Sequence, residues 1–239
     1  LTGEDKALLR REYNNAVQQL EEQLIDARIE NEKGKSIESI TNRYRQAINA
    51  LNTVAPLTEE QKNQYIESLD ELLLNGKKDI EELSSIVLIT SKNDEVITEI
   101  DKIYPRAHKD KSYNEVMNVY NYVNDQIDNA LTHLSDDSKT TLKQRSLNII
   151  DNLKEDIDKE STIEAAHQLA LSKISELNKI LSNGKLENQN EIQIKKDELI
   201  ASLNDKARDA IMEIEGYDRL SPLEKKSFIE EEIEKIRVS

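Results

Sequence analysis

Ala50-Leu51-Asn52-Thr53-Val54-Ala55-Pro56-Leu57-Thr58-Glu59-Glu60-Gln61-Lys62 decides how this chain folds. One amphipathic segment ends in it, a short turn crosses it, and a second segment starts at Thr58. Thr58 is placed to accept from the amide three residues on while Gln61 reaches back to the Thr58 amide, which is a capping box. The pattern of Leu, Thr or Ser, an acidic-rich turn and Lys recurs in Leu1-Thr2-Gly3-Glu4-Asp5-Lys6, Leu134-Ser135-Asp136-Asp137-Ser138-Lys139 and Leu220-Ser221-Pro222-Leu223-Glu224-Lys225. Ser221 with Glu224 repeats the box and puts Pro222 at the first helical position, where a missing amide hydrogen costs nothing. Thr2 with Asp5 is a weaker version. Ser135 has two aspartates suited to the positive end of a helix dipole, but Ser138 cannot complete its box. The leucine before each cap is placed to staple onto the first turn.

Working outward, a second kind of start follows each long segment: Ser112-Tyr113-Asn114-Glu115 and Ser161-Thr162-Ile163-Glu164 are Ser-x-x-Glu boxes. Ser36-Ile37-Glu38-Ser39 and Asn93-Asp94-Glu95 are looser relatives. Apolar stripes at helical spacing run between them. Leu9, Tyr13, Ala16, Leu20, Leu24 and Ala27 mark the first helix, which Lys33-Gly34-Lys35 is expected to break. Ile37, Ile40, Tyr44, Ala47, Ile48 and Leu51 mark a shorter one. From Thr58, Ile66, Leu69, Leu73, Ile80, Leu83 and Val87 keep a seven-residue repeat with a gap at Gly76, a narrow coiled-coil-like seam. The sequence predicts a turn at Ser91 to Asn93 and a short helix ended by Pro105. His108 to Lys111 then reads as a hinge. Val116, Tyr120, Val123, Ile127 and Ala130 follow, then Leu142, Leu147, Ile150, Leu153 and Ile157. Next come Ile163, Ala166, Ala170, Ile174, Leu177 and Leu181, with Asn183-Gly184 as a helix stop. A helix from about Glu187 to Glu215 and a last one from Ser221 close the chain.

The chain has 239 residues, no Trp, one Phe, five Gly and three Pro. Charged residues make up 34% of it, against about 25% in ordinary domains. A wide core needs more large side chains than this, whereas narrow helical bundles need fewer. The expected fold is therefore all-α: tandem left-handed three-helix bundles forming an elongated rod on the order of 120 Å long at the α-helical rise. The expected divisions are 1–105 (with a boundary near 34–36), 106–183, and a partial bundle 184–239. The Leu-Thr/Ser starts are 56, 77 and 86 residues apart, an irregular period near that of a three-helix unit.

Ala47-Ile48-Asn49-Ala50-Leu51 before Leu57-Thr58-Glu59-Glu60-Gln61-Lys62, with a later Asp94-Glu95-Val96-Ile97, resembles the three-helix repeats of giant Gram-positive surface proteins. These are the GA and FIVAR modules, as in Ebh-like matrix-binding proteins. Gln126-Ile127-Asp128-Asn129-Ala130-Leu131 before Leu134-Ser135, then Ser161-Thr162-Ile163-Glu164-Ala165-Ala166, resembles them again. The resemblance implies a non-enzymatic cell-surface stalk or adhesin at the cell wall, with host matrix or serum protein (fibronectin, albumin) as its partner. No albumin-binding surface matches residue by residue, so that activity is not carried over. The alternatives are a dedicated module for a soluble host protein such as albumin, and an intracellular coiled-coil scaffold. With no initiator Met, signal peptide or anchor motif, the chain reads as a fragment of a longer one, expected to be monomeric.

The net charge of −15 disfavours nucleic acid, because phosphate rewards Lys and Arg. No apolar run approaches the roughly 20 residues that span a bilayer, and the absence of cysteine removes disulfides and thiolate metal sites. His108, His133 and His167 are far apart in sequence and read as structural or solvated, not as metal ligands. The many carboxylates read as solvated helix faces. Phosphate-loop, nucleophile-elbow and zinc-protease motifs are all missing, so no catalytic, cofactor or metal residue is assigned. One cluster stands out: Tyr104, Tyr113, Tyr120 and Tyr122, with Arg106 and His108, concentrate near Pro105. Tyr and Arg are enriched in binding hot spots, so Tyr104, Arg106, Tyr113 and Tyr122 are the candidate partner contacts. The competing reading places Tyr120 in the seam and the others over a joint between bundles.

Overall fold

The computed structural model describes residues 2–238, which form eight α-helices and no strand. They are α1 (Gly3–Leu51), α2 (Glu59–Glu82), α3 (Ile86–Asp101), α4 (Ile103–Asn129), α5 (Asp136–Ile150), α6 (Leu153–Lys159), α7 (Ile163–Glu215) and α8 (Pro222–Val238). The fold is all-α.

The repeated starts form as the side chains dictate. Thr2 and Thr58 make complete capping boxes with Asp5 and Gln61, and Ser221 exchanges the same two bonds with Glu224. Ser135 accepts from the Ser138 amide with no reciprocal bond. Leu1, the staple of the first copy, lies outside the described residues. The lysine that ends the motif has a role of its own in two of the copies. Lys139 Nζ donates to the Asp128 carbonyl at 3.3 Å and Lys225 Nζ to the Glu215 carbonyl at 2.7 Å. In both, an ammonium near the start of one helix satisfies a carbonyl left over at the end of the helix before it.

Several expected breaks are absent. Gly34 lies inside the 49-residue α1 and Gly184 inside the 53-residue α7, so neither Lys33-Gly34-Lys35 nor Asn183-Gly184 ends a helix. Lys33 is polar for another reason: its ammonium donates to the Glu81 carbonyl in the last turn of α2 at 2.9 Å. The long second helix stops at Glu82, and the turn falls at Leu83 to Ser85 instead of Ser91 to Asn93. Asn93-Asp94-Glu95 is accordingly mid-helix. Pro105 sits in the first turn of α4, where the absent N–H is tolerated, and only Lys102 separates α3 from α4. His108 to Lys111 is continuous helix, not a hinge. Ser36 and Ser112 are buried within α1 and α4 and start nothing. At the start of α7 the cap is Thr162, which accepts from the Ala165 amide at 3.1 Å, in place of Ser161. One break was not expected. Asn152, at φ 58°, separates α5 from α6, a conformation asparagine tolerates better than most residues.

The contacts group the chain into two units, one of residues 1–118 with 152–173 and the other of 119–151 with 174–239. In the first, α1, α2 and α3 pack pairwise into a three-helix bundle. Its core is Ile40, Leu51, Val54, Leu69, Ile80, Ile89, Val96, Ile100, Ile103 and Ala107. Gly76, the gap in the seam, lets α2 close on Val96 of α3, since a Cβ there would stand 2.9 Å from a Val96 methyl. Val116, Leu153, Ile157, Ala166 and Ala170 are also buried in this unit. The first stripe of the sequence does not join a core: Leu9, Tyr13, Leu20 and Leu24 are exposed. In the second unit Val123, Ile127, Leu131, Leu134, Leu142, Leu177 and Leu181 are buried. Asn188 Oδ1 accepts from the His133 amide there at 2.9 Å.

Candidate partner-binding site

The candidate contacts all belong to α4, whose first residues are held against the α1–α2–α3 core through Ile103 and Ala107. Tyr104 is 38% exposed and its ring meets that of His108 edge-on, with centroids 4.4 Å apart. Arg106 is exposed and lines an open cleft with Tyr65, Lys109, Asp110, Lys154 and Asp158. Tyr113 is half-buried, with the Lys154 ammonium 5.8 Å from its ring centroid. Nine residues is about two and a half helical turns, so Tyr104 and Tyr113 point from opposite sides of α4. Tyr122 is 52% exposed and belongs to the second unit, as does Tyr120, which lines a groove with Asn124, Thr140, Lys143, Gln144 and Leu147. The first unit therefore brings Tyr104, Arg106 and Tyr113 onto one short length of helix without gathering them on one face.

What the first unit does gather is a polar cluster around Asp110. Tyr65 Oη of α2 donates to Asp110 Oδ2 at 2.6 Å. Lys154 of α6 donates to Asp110 Oδ1 and, at 3.1 Å, to Asp158 Oδ1. Lys109 Nζ donates to the Asp158 carbonyl at 2.8 Å. Asn114 Nδ2 donates to the Pro56 carbonyl at 3.0 Å and to Gln61 Oε1 at 2.7 Å. Burial, followed by the bond to Asp110, pushes the Tyr65 phenol above its ordinary range. Burial works against the Lys154 ammonium, yet its bonds to Asp110 and Asp158 leave its pKa raised. The cluster is a set of satisfied donors and acceptors. Sequence reasoning missed it, although Asp110 and Asn114 lie one turn apart.

A second polar group lies nearby. His167 Nδ1 of α7 is 3.7 Å from Glu115 Oε2 of α4. His108 Nε2 is buried without a hydrogen-bond partner. Burial, with Lys111 next, lowers the His108 pKa, and Glu115 opposes the shift. Among the described residues no group of three or more His, Asp or Glu side chains is arranged to hold a metal ion. No helix among them is long and apolar enough to cross a membrane. In the second unit a shallow groove lined by Ala210, Ile214, Tyr217, Arg219, Leu220 and Phe228 takes in the chain's one phenylalanine.

Neither a curated protein nor a solved structure matches the chain. Residues 32–108 match a family described as a Domain of Unknown Function, DUF1542. The match begins within α1, close to where that helix enters the core, and ends at His108 of α4, so it takes in the core-forming end of α1 with all of α2 and α3.

Proposed function

We propose that the chain is a non-enzymatic segment of a Gram-positive cell-surface protein, serving as an extended stalk or adhesin of the kind built from GA- and FIVAR-type three-helix repeats. The observation that carries this reading is the coincidence of the α1–α2–α3 bundle with the DUF1542 match, a domain known from cell-surface proteins. A thin core shared among three helices suits a spacer whose stability comes from nearest-neighbour packing. Contact with a host matrix or serum protein is of low affinity in this reading. Tyr104, Arg106 and Tyr122 supply the accessible side chains for it, while Tyr113 is half-buried near Lys154.

Small-angle scattering on the chain in solution tests the stalk. A maximum dimension on the order of 100 Å or more is expected from serial bundles. A compact particle near the roughly 18 Å radius of gyration of one globule of this length overturns it. For the partner, immobilised fibronectin and albumin are presented with the chain and with Tyr104→Ala/Tyr122→Ala. Binding that the double variant weakens supports the contact surface. Equal binding by both chains removes it.

A further inference from the structure

The hinge expected at His108 to Lys111 is instead continuous helix, in which Lys109 and Asp110 are bonded to neighbouring helices. We infer that Asp110 is a shared pin holding α2 and α6 together on α4, which makes this stretch a stiff joint. The inference rests on the stalk reading for its use, and on geometry for its existence. The two carboxylate oxygens of Asp110 serve different helices: Oδ2 takes the Tyr65 hydroxyl of α2 and Oδ1 takes the Lys154 ammonium of α6. The Asp110 side chain is only 15% exposed, so water competes weakly and both bonds act with more strength than a surface pair would.

Each arm is backed by a second bond. On the α2 side, Asn114, one turn beyond Asp110, donates to the Pro56 carbonyl and to Gln61. Gln61 Oε1 also accepts from the Thr58 amide at 3.0 Å, so the cap of α2 is tied to α4. On the α6 side, Lys109 holds the Asp158 carbonyl and Lys154 bridges Asp110 to Asp158. The helix α6 has seven residues, too few to hold its position by its own hydrogen bonds. Its place is set by Leu153 and Ile157, which are buried, and by this polar clamp. In a spacer, a loose joint shortens the mean reach, and a pinned joint preserves it.

The test uses the chain's lack of cysteine, which leaves two introduced thiols as the only labelling sites. Glu67→Cys on α2 and Asp156→Cys on α6, both exposed, carry spin labels for a distance distribution by double electron–electron resonance. The parent chain is expected to give one narrow distribution. Tyr65→Phe removes the α2 arm, and Lys154→Met removes the α6 arm while keeping apolar length beside Tyr113. Each is expected to broaden the distribution, and the double variant to broaden it no further than the wider single. Two singles indistinguishable from the parent, or fully additive broadening, overturn the shared pin. Where one variant loses its helical circular dichroism, Asp110→Asn takes its place, since it keeps an acceptor for Tyr65 and removes the charge that Lys154 pairs with. Scattering from the parent chain decides the stalk reading separately. A compact parent sinks the stalk and leaves the label result standing, whereas unmoved labels sink the pin alone.

Discussion

Small residues carry opposite meanings in this chain according to what lies across from them. Gly34, Gly76 and Gly184 are all helical, but a Cβ at Gly34 would meet nothing within 4 Å. At Gly76 it would meet both γ-carbons of Val96, at 2.9 and 3.0 Å, and a β-branched side chain has little freedom to turn away. Gly34→Ala is therefore expected to stabilise by about 0.5–1 kcal/mol through helix propensity. Gly76→Ala is expected to destabilise by about 1–2 kcal/mol, overpacking outweighing propensity. Gly184→Ala falls between them, because the atoms in its way are the mobile ends of Leu131 and Leu142. Urea denaturation of the three variants measures the order. His108 supplies a pH dependence. Its folded pKa is depressed, so the unfolded state takes up the proton first, and stability is lost as pH falls below about 6.5. Lys111 and His167 add to that effect and Glu115 opposes it. Thermal melts from neutral to mildly acid pH are expected to fall more steeply for the parent than for His108→Gln. At this scale the capping boxes were legible because each bond is made within four residues. Ser36, Ser112 and Gly184 were misread, since the residues that start and stop helices are also the ones small enough for buried positions, and Gly34 was misread although it lies exposed within α1.

Elements were easier to count than to bound. Along the stripe from Ala166 to Leu181, Ala166, Ala170, Leu177 and Leu181 are buried and Ile174 is half-buried, while the equally regular stripe from Leu9 to Ala27 is exposed along α1. Periodicity reports that a face is apolar, and nothing in it reports what covers the face. A consequence for dynamics follows. Residues 5–28 of α1 are exposed apart from the half-buried Val17, whereas residues 36–51 are locked by the Ile40 and Leu51 core. Amide exchange followed by mass spectrometry is expected to be markedly faster in the first segment than in the second, though one helix contains both. Uniform protection along α1 would contradict this account. The motif lysines extend the lesson: Lys139 and Lys225 complete the preceding helices, a tie between neighbouring elements that was visible as a recurring letter before it had a role. The break at Asn152 had no such signal, because an asparagine amid charged residues reads equally well as helix surface.

For the whole molecule, all-α architecture was legible from composition and stripe, whereas closeness in sequence does not place side chains on one helix face: Tyr104 and Tyr113, nine residues apart, point from opposite sides of α4. The net charge of −15 acts everywhere at once. Self-repulsion opposes compact packing, so raising the ionic strength from roughly 0.01 M to roughly 0.5 M, which contracts the screening length several-fold, is expected to raise the melting temperature. A flat response would mean that the local pairs, such as Arg43 with Asp101 and Lys143 with Asp128, already balance the field. Finally, the unbroken course of α4 through Ala107, Asp110 and Asn114 makes angular phase a constraint on how this chain can change in length. One residue inserted between Ala107 and Asp110 would turn Asp110 and Asn114 by about 100° away from Tyr65 and Gln61 while leaving every hydrogen bond of the helix intact. Seven residues would return them to within about 20°. Lengths inside such helices are thus free to vary only in near-whole sets of turns, and single-residue changes are confined to the connections between helices, such as those at 52–58, 83–85, 130–135 and 216–221.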